Sequence, residues 1–344
     1  RYQVLMHPRL ILGIFVPELP FSGKHKVYQQ NSYNINKSNL DGFPEPGDAF
    51  GPVHGANLKY LLQLLTSPLY FCSKARKLYF LLENEIMTKG TTFQGYIPIM
   101  LEPDDSSPMV SQLLFGEEFT LIEKSGEWLS VSLDFDDCRG WVGNRGVELR
   151  EVENGKDKQP DKAICLASLP STTILDLTLG QQRIIPAGAV WNSERGHPMQ
   201  WYGHIFEMLS EEGFYKPGAS ASPQEIGKRM ISVPYLPGGR SGFGFDGAGL
   251  VQVLCRMMGK KIPRFCQQQA ELGSTINFMY EVKEGDLAFF DNEENEIIHV
   301  GMILNEGTIL HADTCVSIDL LDHHGIYCGK RARYTHKLRV IKRI

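Results

Sequence analysis

Apolar residues recur with two different periods along this chain, and the changes of period divide it. Leu58, Leu61, Leu62 and Leu65 fall at helical spacing and predict an amphipathic helix from Ala56 to Leu65, with a second from Lys77 to Ile86. Ahead of them, Leu10 to Val16 reads as a buried strand and Gln29 to Asn39 as polar loop, so residues 1–92 form an N-terminal helical element whose default role is structural. From Gln94 to Leu149 the pattern becomes short alternating runs separated by turns: Tyr96 to Leu101, Ser111 to Leu114, Glu118 to Ile122, Trp128 to Leu133 and Arg139 to Val142. Strands so closely spaced predict a small all-β barrel or sandwich over 93–150. Residues 151–162 are charged and aperiodic, a linker. Weaker β-like pieces at Ile174 to Leu179, Arg183 to Val190 and Met199 to His204 predict a second barrel over 163–219.

Beyond residue 220 helix signals return. Ser222-Pro223-Gln224-Glu225 combines a serine cap, proline at the first helical position and glutamate at the third. A glycine-rich turn, Gly239 to Gly244, then leads to Asp246, placed to cap a helix from Ala248 to about Met258 that Gly259 stops. Glu284 to Phe290 reads as a turn feeding a buried strand. Ile297 to Leu304 and Thr308 to Ala312 read as two strands with one histidine each, His299 and His311. The first N–H groups of the Asp246-capped helix favour negative charge in front of them. A thiolate would stand there, yet the position holds Gly247.

Composition removes several function classes. A chain of 344 residues exceeds one core and predicts several domains. A net charge of -5 without a long basic run argues against nucleic acid or an anionic membrane as partner. No apolar run approaches the roughly 20 residues of a membrane-spanning helix. Leu10 to Val16 lacks a cleavage site, and a targeting segment removed before Arg1 would leave no trace. The seven cysteines include no C-x-x-C pair, so free buried thiols are expected rather than a zinc site or a disulfide framework. Trp128, Trp141, Trp191 and Trp201 are expected in the barrel cores, and His323-His324 in an exposed loop. His299, His311 and Asp246 could offer metal ligands but carry no metal signature, so neither metal nor cofactor is expected.

Two resemblances add to this reading. Gly116-Glu117, Gly126-Glu127-Trp128-Leu129-Ser130-Val131 and Arg139-Gly140-Trp141-Val142 resemble bacterial SH3-like domains. Four later blocks resemble the NlpC family of papain-like cysteine peptidases, which cleave cell-wall stem peptides. They are Val233-Pro234-Tyr235 with Gly238-Gly239; Phe245-Asp246-x-x-Gly249-Leu250-Val251-Gln252; Gly285-Asp286-Leu287-x-Phe289-Phe290; and His299-Val300-Gly301-Met302-Ile303 with Ile309-Leu310-His311-Ala312. The resemblance implies a papain-like α+β domain over 220–344 behind two SH3-like barrels, the layout of γ-D-glutamyl-L-diamino acid endopeptidases.

In that family a helix-terminal cysteine is activated by a facing histidine that a third residue orients. The resemblance places His299 at the base, His311 at the orienting position, and Gly247 and Ala248 where the family has Cys-Ser. Tyr235, which flanks the nucleophile in the family, is kept. Pro237 replaces an aromatic residue, and after Pro263-Arg264 an Asp-Ser amine anchor becomes Phe265-Cys266. The implied binding positions are Tyr235, Asp246, Ala248, Arg264, Phe265 and Cys266. Cys255 lies about 12 Å along the helix from Gly247, too far to substitute. The expectation is a catalytically degenerate homologue in the bacterial envelope, periplasmic or extracellular, holding a peptidoglycan stem peptide or an envelope protein partner without cleaving it. Its rivals are an active endopeptidase using Cys266 or a recruited water, and a structural protein-protein interaction module with a closed cleft.

Overall fold

The computed structural model describes residues 2–7, 10–17, 86–153, 164–219, 222–305 and 307–344. The chain divides into two units, residues 1–71 and 72–344. In the first, Tyr2–His7 and Leu10–Pro17 pair as an antiparallel hairpin. The helices expected from Ala56 and from Lys77 fall outside the described residues, except that Ile86 opens a strand, Ile86–Thr92, instead of closing a helix.

That strand belongs to the first barrel. Its sheet runs in the order Met109–Leu114, Tyr96–Met100, Arg139–Gly143, Trp128–Leu133, Glu118–Ser125, Ile86–Thr92, Val147–Glu153. Trp128–Leu133 shows the governing alternation, with Leu129, Val131 and Leu133 turned into the core beside Ile99, Leu113 and Phe119. Because strand side chains alternate, Trp128 takes the opposite face. Trp128 and Trp141 are half-buried outside the barrel core, contrary to expectation. Val147–Glu153 extends into the segment expected to be linker, because its charged positions hide the alternation of a strand that pairs along its whole length with Ile86–Thr92.

Where the second barrel is expected, a three-stranded sheet, Val190–Trp191, Cys165–Ala167, Phe214–Tyr215, and a separate four-stranded one, Gln181–Pro186, Ser171–Asp176, His204–Met208, Met199–Trp201, share one core. Trp191 and Trp201 lie in that core as expected, and Phe93 and Phe115 from the first barrel pack there too. Shared apolar side chains and the bonds Val190 N–H to Phe115 O (2.8 Å) and Asn192 Nδ2 to Gly116 O (3.0 Å) tie the barrels together.

In the C-terminal domain six strands close on themselves. The order is Arg333–Arg343, Leu287–Asp291, Ile297–Asn305, Thr308–Ala312, Val316–Leu321, Gly325–Cys328, which pairs back to Arg333–Arg343; Ser274–Ile276 adds outside the ring. Phe290, Ile303, Ile309, Leu321 and Ile326 fill the inside. The opposite face, with Val300, Met302, Leu304 and Leu310, packs on the helices. These are α1 (Pro223–Lys228), opened by the expected capping box from Ser222, α2 (Gly247–Met257) and the short α3 (Cys266–Gln269). Every α2 residue except Arg256 is buried.

The first barrel covers the other side of α2 through a charged junction. Glu117, 4% exposed, accepts from both terminal nitrogens of the fully buried Arg240 (2.6 to 3.1 Å) and from Arg256. Gln252 bonds Asp136 at 2.7 Å and accepts from Arg240 Nε at 3.2 Å. The helix that carries position 247 is thus held from both faces.

Candidate active site

Asp246 fixes the start of α2. One carboxylate oxygen accepts from Gly249 N at 2.7 Å, the other from Gly238 N at 3.1 Å, and Arg264 grips both at 3.0 and 2.6 Å. Gly249 is required by close approach: a Cβ there would lie 2.1 Å from Gly239 O. Gly247 differs, because a Cβ built on it points at an imidazole, 3.0 Å from both Nδ1 and Cε1 of His299 and 2.8 Å from Val300 O. Position 247, where the resemblance puts the family's cysteine, therefore faces His299, with a strand carbonyl closed onto the glycine.

Behind His299 runs a chain of hydrogen bonds: His299 Nε2 to His311 Nδ1 at 3.2 Å, and His311 Nε2 to Asp319 Oδ2 at 3.0 Å. Burial lowers both histidine pKa values, His299 well below the ordinary 6.5 with His336 and His311 adding to the effect, and His311 against the opposing pull of Asp319. In neutral rings the carboxylate fixes the tautomers. His311 donates from Nε2 to Asp319, its Nδ1 accepts from His299 Nε2–H, and His299 Nδ1 is left as a lone pair aimed at position 247. An acceptor nitrogen thus faces a residue without a side chain.

A third imidazole joins them. His336 stacks on His299 at 4.2 Å between ring centroids and 23° between planes. Neither His336 nor Asp319 was singled out from the sequence. Both sit in ordinary alternating strands, and their proximity follows from the closure of the barrel, which no local pattern encodes. The only signal was polar residues at positions in register with inward-facing Ile309, Leu321 and Ile326.

Comparison with known proteins identifies two segments of the chain. Residues 232–337 match the NlpC/P60 family, and residues 99–146 match the bacterial dipeptidyl-peptidase SH3 domain. The chain carries an NlpC/P60 domain. A γ-D-glutamyl-L-lysine dipeptidyl-peptidase of Bacillus subtilis is 29% identical over 226 residues, covering 61% of this chain and 75% of the relative. One of the same name from Bacillus cereus is 23% identical over 256 residues, covering 66% and 76%. In fold, the chain is similar to the crystal structure of an NlpC/P60 family protein from Bacillus cereus, with a TM-score of 0.62 at 18% identity over 74% of this chain and 99% of that one. It is also similar to an NlpC/P60 endopeptidase from Photobacterium damselae, with a TM-score of 0.54 at 14% identity over 73% and 70%.

Within the NlpC/P60 domain the remaining positions separate into two groups. Tyr235 is 42% exposed and Phe265 38%, both on the surface beside the α2 terminus or α3, and Ala248 is 9% exposed. Burial, with Asp246 and Asp313 nearby, raises the Tyr235 phenol pKa, so it stays protonated at neutral pH. Arg264, expected among binding positions, is 2% exposed and bonded to Asp246, Ser111 and Gly239, which makes it a brace between barrel and helix. Asp246 is committed to the same brace. The structure puts His336, rather than Asp246, beside the two histidines. Cys266 is half-buried with its thiol pKa raised by burial, and burial pushes Cys255 up to about 12. Cys72 falls outside the described residues, and His323 and His324 are exposed as expected.

The histidine cluster sets a pH response. Burial lowers His336 to about 4 against 6.5 in an unfolded chain. The unfolded state therefore binds more protons between those values, so the contribution of His336 to folding stability is full above pH 6.5 and declines as pH falls toward 4. His336→Gln is expected to remove roughly 2–3 kcal/mol of that decline, read as a flatter melting temperature against pH over this window. An unchanged slope would refute it.

Proposed function

We propose that this protein is a catalytically degenerate relative of the cell-wall peptide hydrolases, and that its NlpC/P60 cleft holds a peptidoglycan-derived stem peptide or an envelope partner without hydrolysing it. One observation carries the reading: the base His299 faces Gly247, which offers no nucleophile. The relatives' name, γ-D-glutamyl-L-lysine dipeptidyl-peptidase, supports the ligand class and, with it, an envelope location. Losing a covalent nucleophile costs on the order of 10⁴ to 10⁶ in rate. Cys266 is a poor substitute, since burial favours its thiol over the thiolate that attacks.

The test is to incubate purified protein with a γ-D-glutamyl-L-lysine stem peptide and to measure binding by calorimetry beside product release. Saturable binding without turnover is expected, and Cys266 should react with iodoacetamide no faster than Cys315 or Cys328. Turnover abolished by His299→Ala, or by labelling of a fast-reacting Cys266, would establish an active enzyme instead.

A further inference from the structure

We propose that His299, His311 and His336 together bind one divalent transition-metal ion of the zinc class, through Nε2 of His299, Nδ1 of His311 and Nε2 of His336. Among the described residues, this is the set of three whose ligand atoms all lie within 4.8 Å of one another. The argument is geometric. Tetrahedral zinc with Zn–N bonds of 2.0–2.1 Å holds two ligand nitrogens about 3.3 Å apart and their ring centroids about 5 Å apart. Here His299 Nε2 and His311 Nδ1 are 3.2 Å apart. The His299–His311 and His311–His336 centroid separations, 5.3 and 5.8 Å, are near that spacing, whereas the His299 and His336 rings, stacked at 4.2 Å, must swing apart to share an ion.

The surrounding bonds are those a metal site needs. Ligating histidines usually donate their second nitrogen to a carboxylate or other acceptor, which fixes tautomer and ring orientation. His311 Nε2 meets Asp319 at 3.0 Å, so Nδ1 is the nitrogen left for the ion. His336 Nδ1 meets Thr335 Oγ1 at 2.9 Å, which leaves Nε2. For His299, metal binding transfers its proton from Nε2 to Nδ1, and the lone pair that would serve a thiol is surrendered. With Gly247 opposite Nδ1, no nucleophile competes for it. Three protein ligands leave a fourth position open, as in catalytic rather than structural zinc sites. The ligands come from three strands of one closed barrel, and their nitrogens, all within 4.8 Å of one another, close by side-chain rotation to the roughly 3.3 Å of tetrahedral coordination.

Chelator-treated full-length protein titrated with Zn²⁺ by calorimetry, and with Co²⁺ by visible absorption, tests this directly. One equivalent should bind, and cobalt should show the intense bands of a tetrahedral ion. His336→Ala should weaken binding at least 100-fold. Asp319→Asn, which keeps every ligand, should weaken it 10- to 100-fold through lost orientation. A variant with both His323→Ala and His324→Ala should bind as the parent does. Circular dichroism establishes that each variant is folded, and His336→Gln serves if the alanine variant is not. No saturable one-equivalent binding overturns the proposal. Binding indifferent to His336, or lost with the exposed His323/His324 pair, overturns it equally.

Discussion

Glu117→Ala is expected to cost about 3–5 kcal/mol of folding stability, the typical result of removing one partner from a buried ion pair. The alanine leaves Arg240, 1% exposed, and Arg256 without their shared carboxylate, and frees Leu114 N, which bonds the same group at 3.0 Å. Burial already lowers the Arg256 pKa, with Glu117 as its main support. The cost arises because the guanidinium groups stay charged in a site that water reaches poorly. Since Glu117 belongs to the first barrel and both arginines to the C-terminal domain, the loss should also weaken docking between them. Denaturant unfolding should show a lower midpoint and a split into two transitions. A single transition within 1 kcal/mol of the parent would refute the junction's role.

Gly247→Cys with Ala248→Ser is expected to leave hydrolysis of a γ-D-glutamyl-L-lysine peptide at least 10³-fold below that of an active relative, despite supplying the Cys-Ser pair that the resemblance implies. A Cβ at 247 sits 2.8 Å from the Val300 carbonyl oxygen, a distance backbone atoms cannot keep, so the strand must move to admit it. Overpacking of this kind typically costs 1–3 kcal/mol, and the displaced strand is the one that bears His299. A nucleophile misplaced from its base by an ångström loses on the order of 10²-fold by itself. The altered residues Phe265 and Cys266 add a changed substrate wall. Thermal melts and a peptide-release assay check both parts. An unshifted melting temperature together with relative-like turnover would show that the frame had remained open around the glycine.

Much of this site is legible in the sequence. The Ser222 and Asp246 caps, the glycine turn and the start of α2 depend on residues within four positions of one another, and local hydrogen bonds decide them wherever the rest of the chain goes. The strands bearing His299 and His311 followed from alternation, and the resemblance carried by four spaced blocks set Gly247 where the family has its cysteine. The barrels were legible as strand-rich segments but not at their ends. Charged edge positions concealed Val147–Glu153, and Ile86–Thr92 needed its partner strand to be recognised.

What the tertiary structure decided was which faces meet. Alternation cannot say which side of Trp128–Leu133 is inward, because shifting register by one residue exchanges the two faces; pairing put Trp128 outside and Leu129 in. It cannot say that Glu117 closes on Arg240, 123 residues later, or that Phe93 and Phe115 enter the neighbouring barrel's core. Asp319 and His336 are of the same kind. By itself, the sequence determined an Asp246-capped helix that begins at a glycine, and one histidine on each of two later strands. Barrel closure, through backbone pairing between strands distant along the chain, determined that these histidines are two of three.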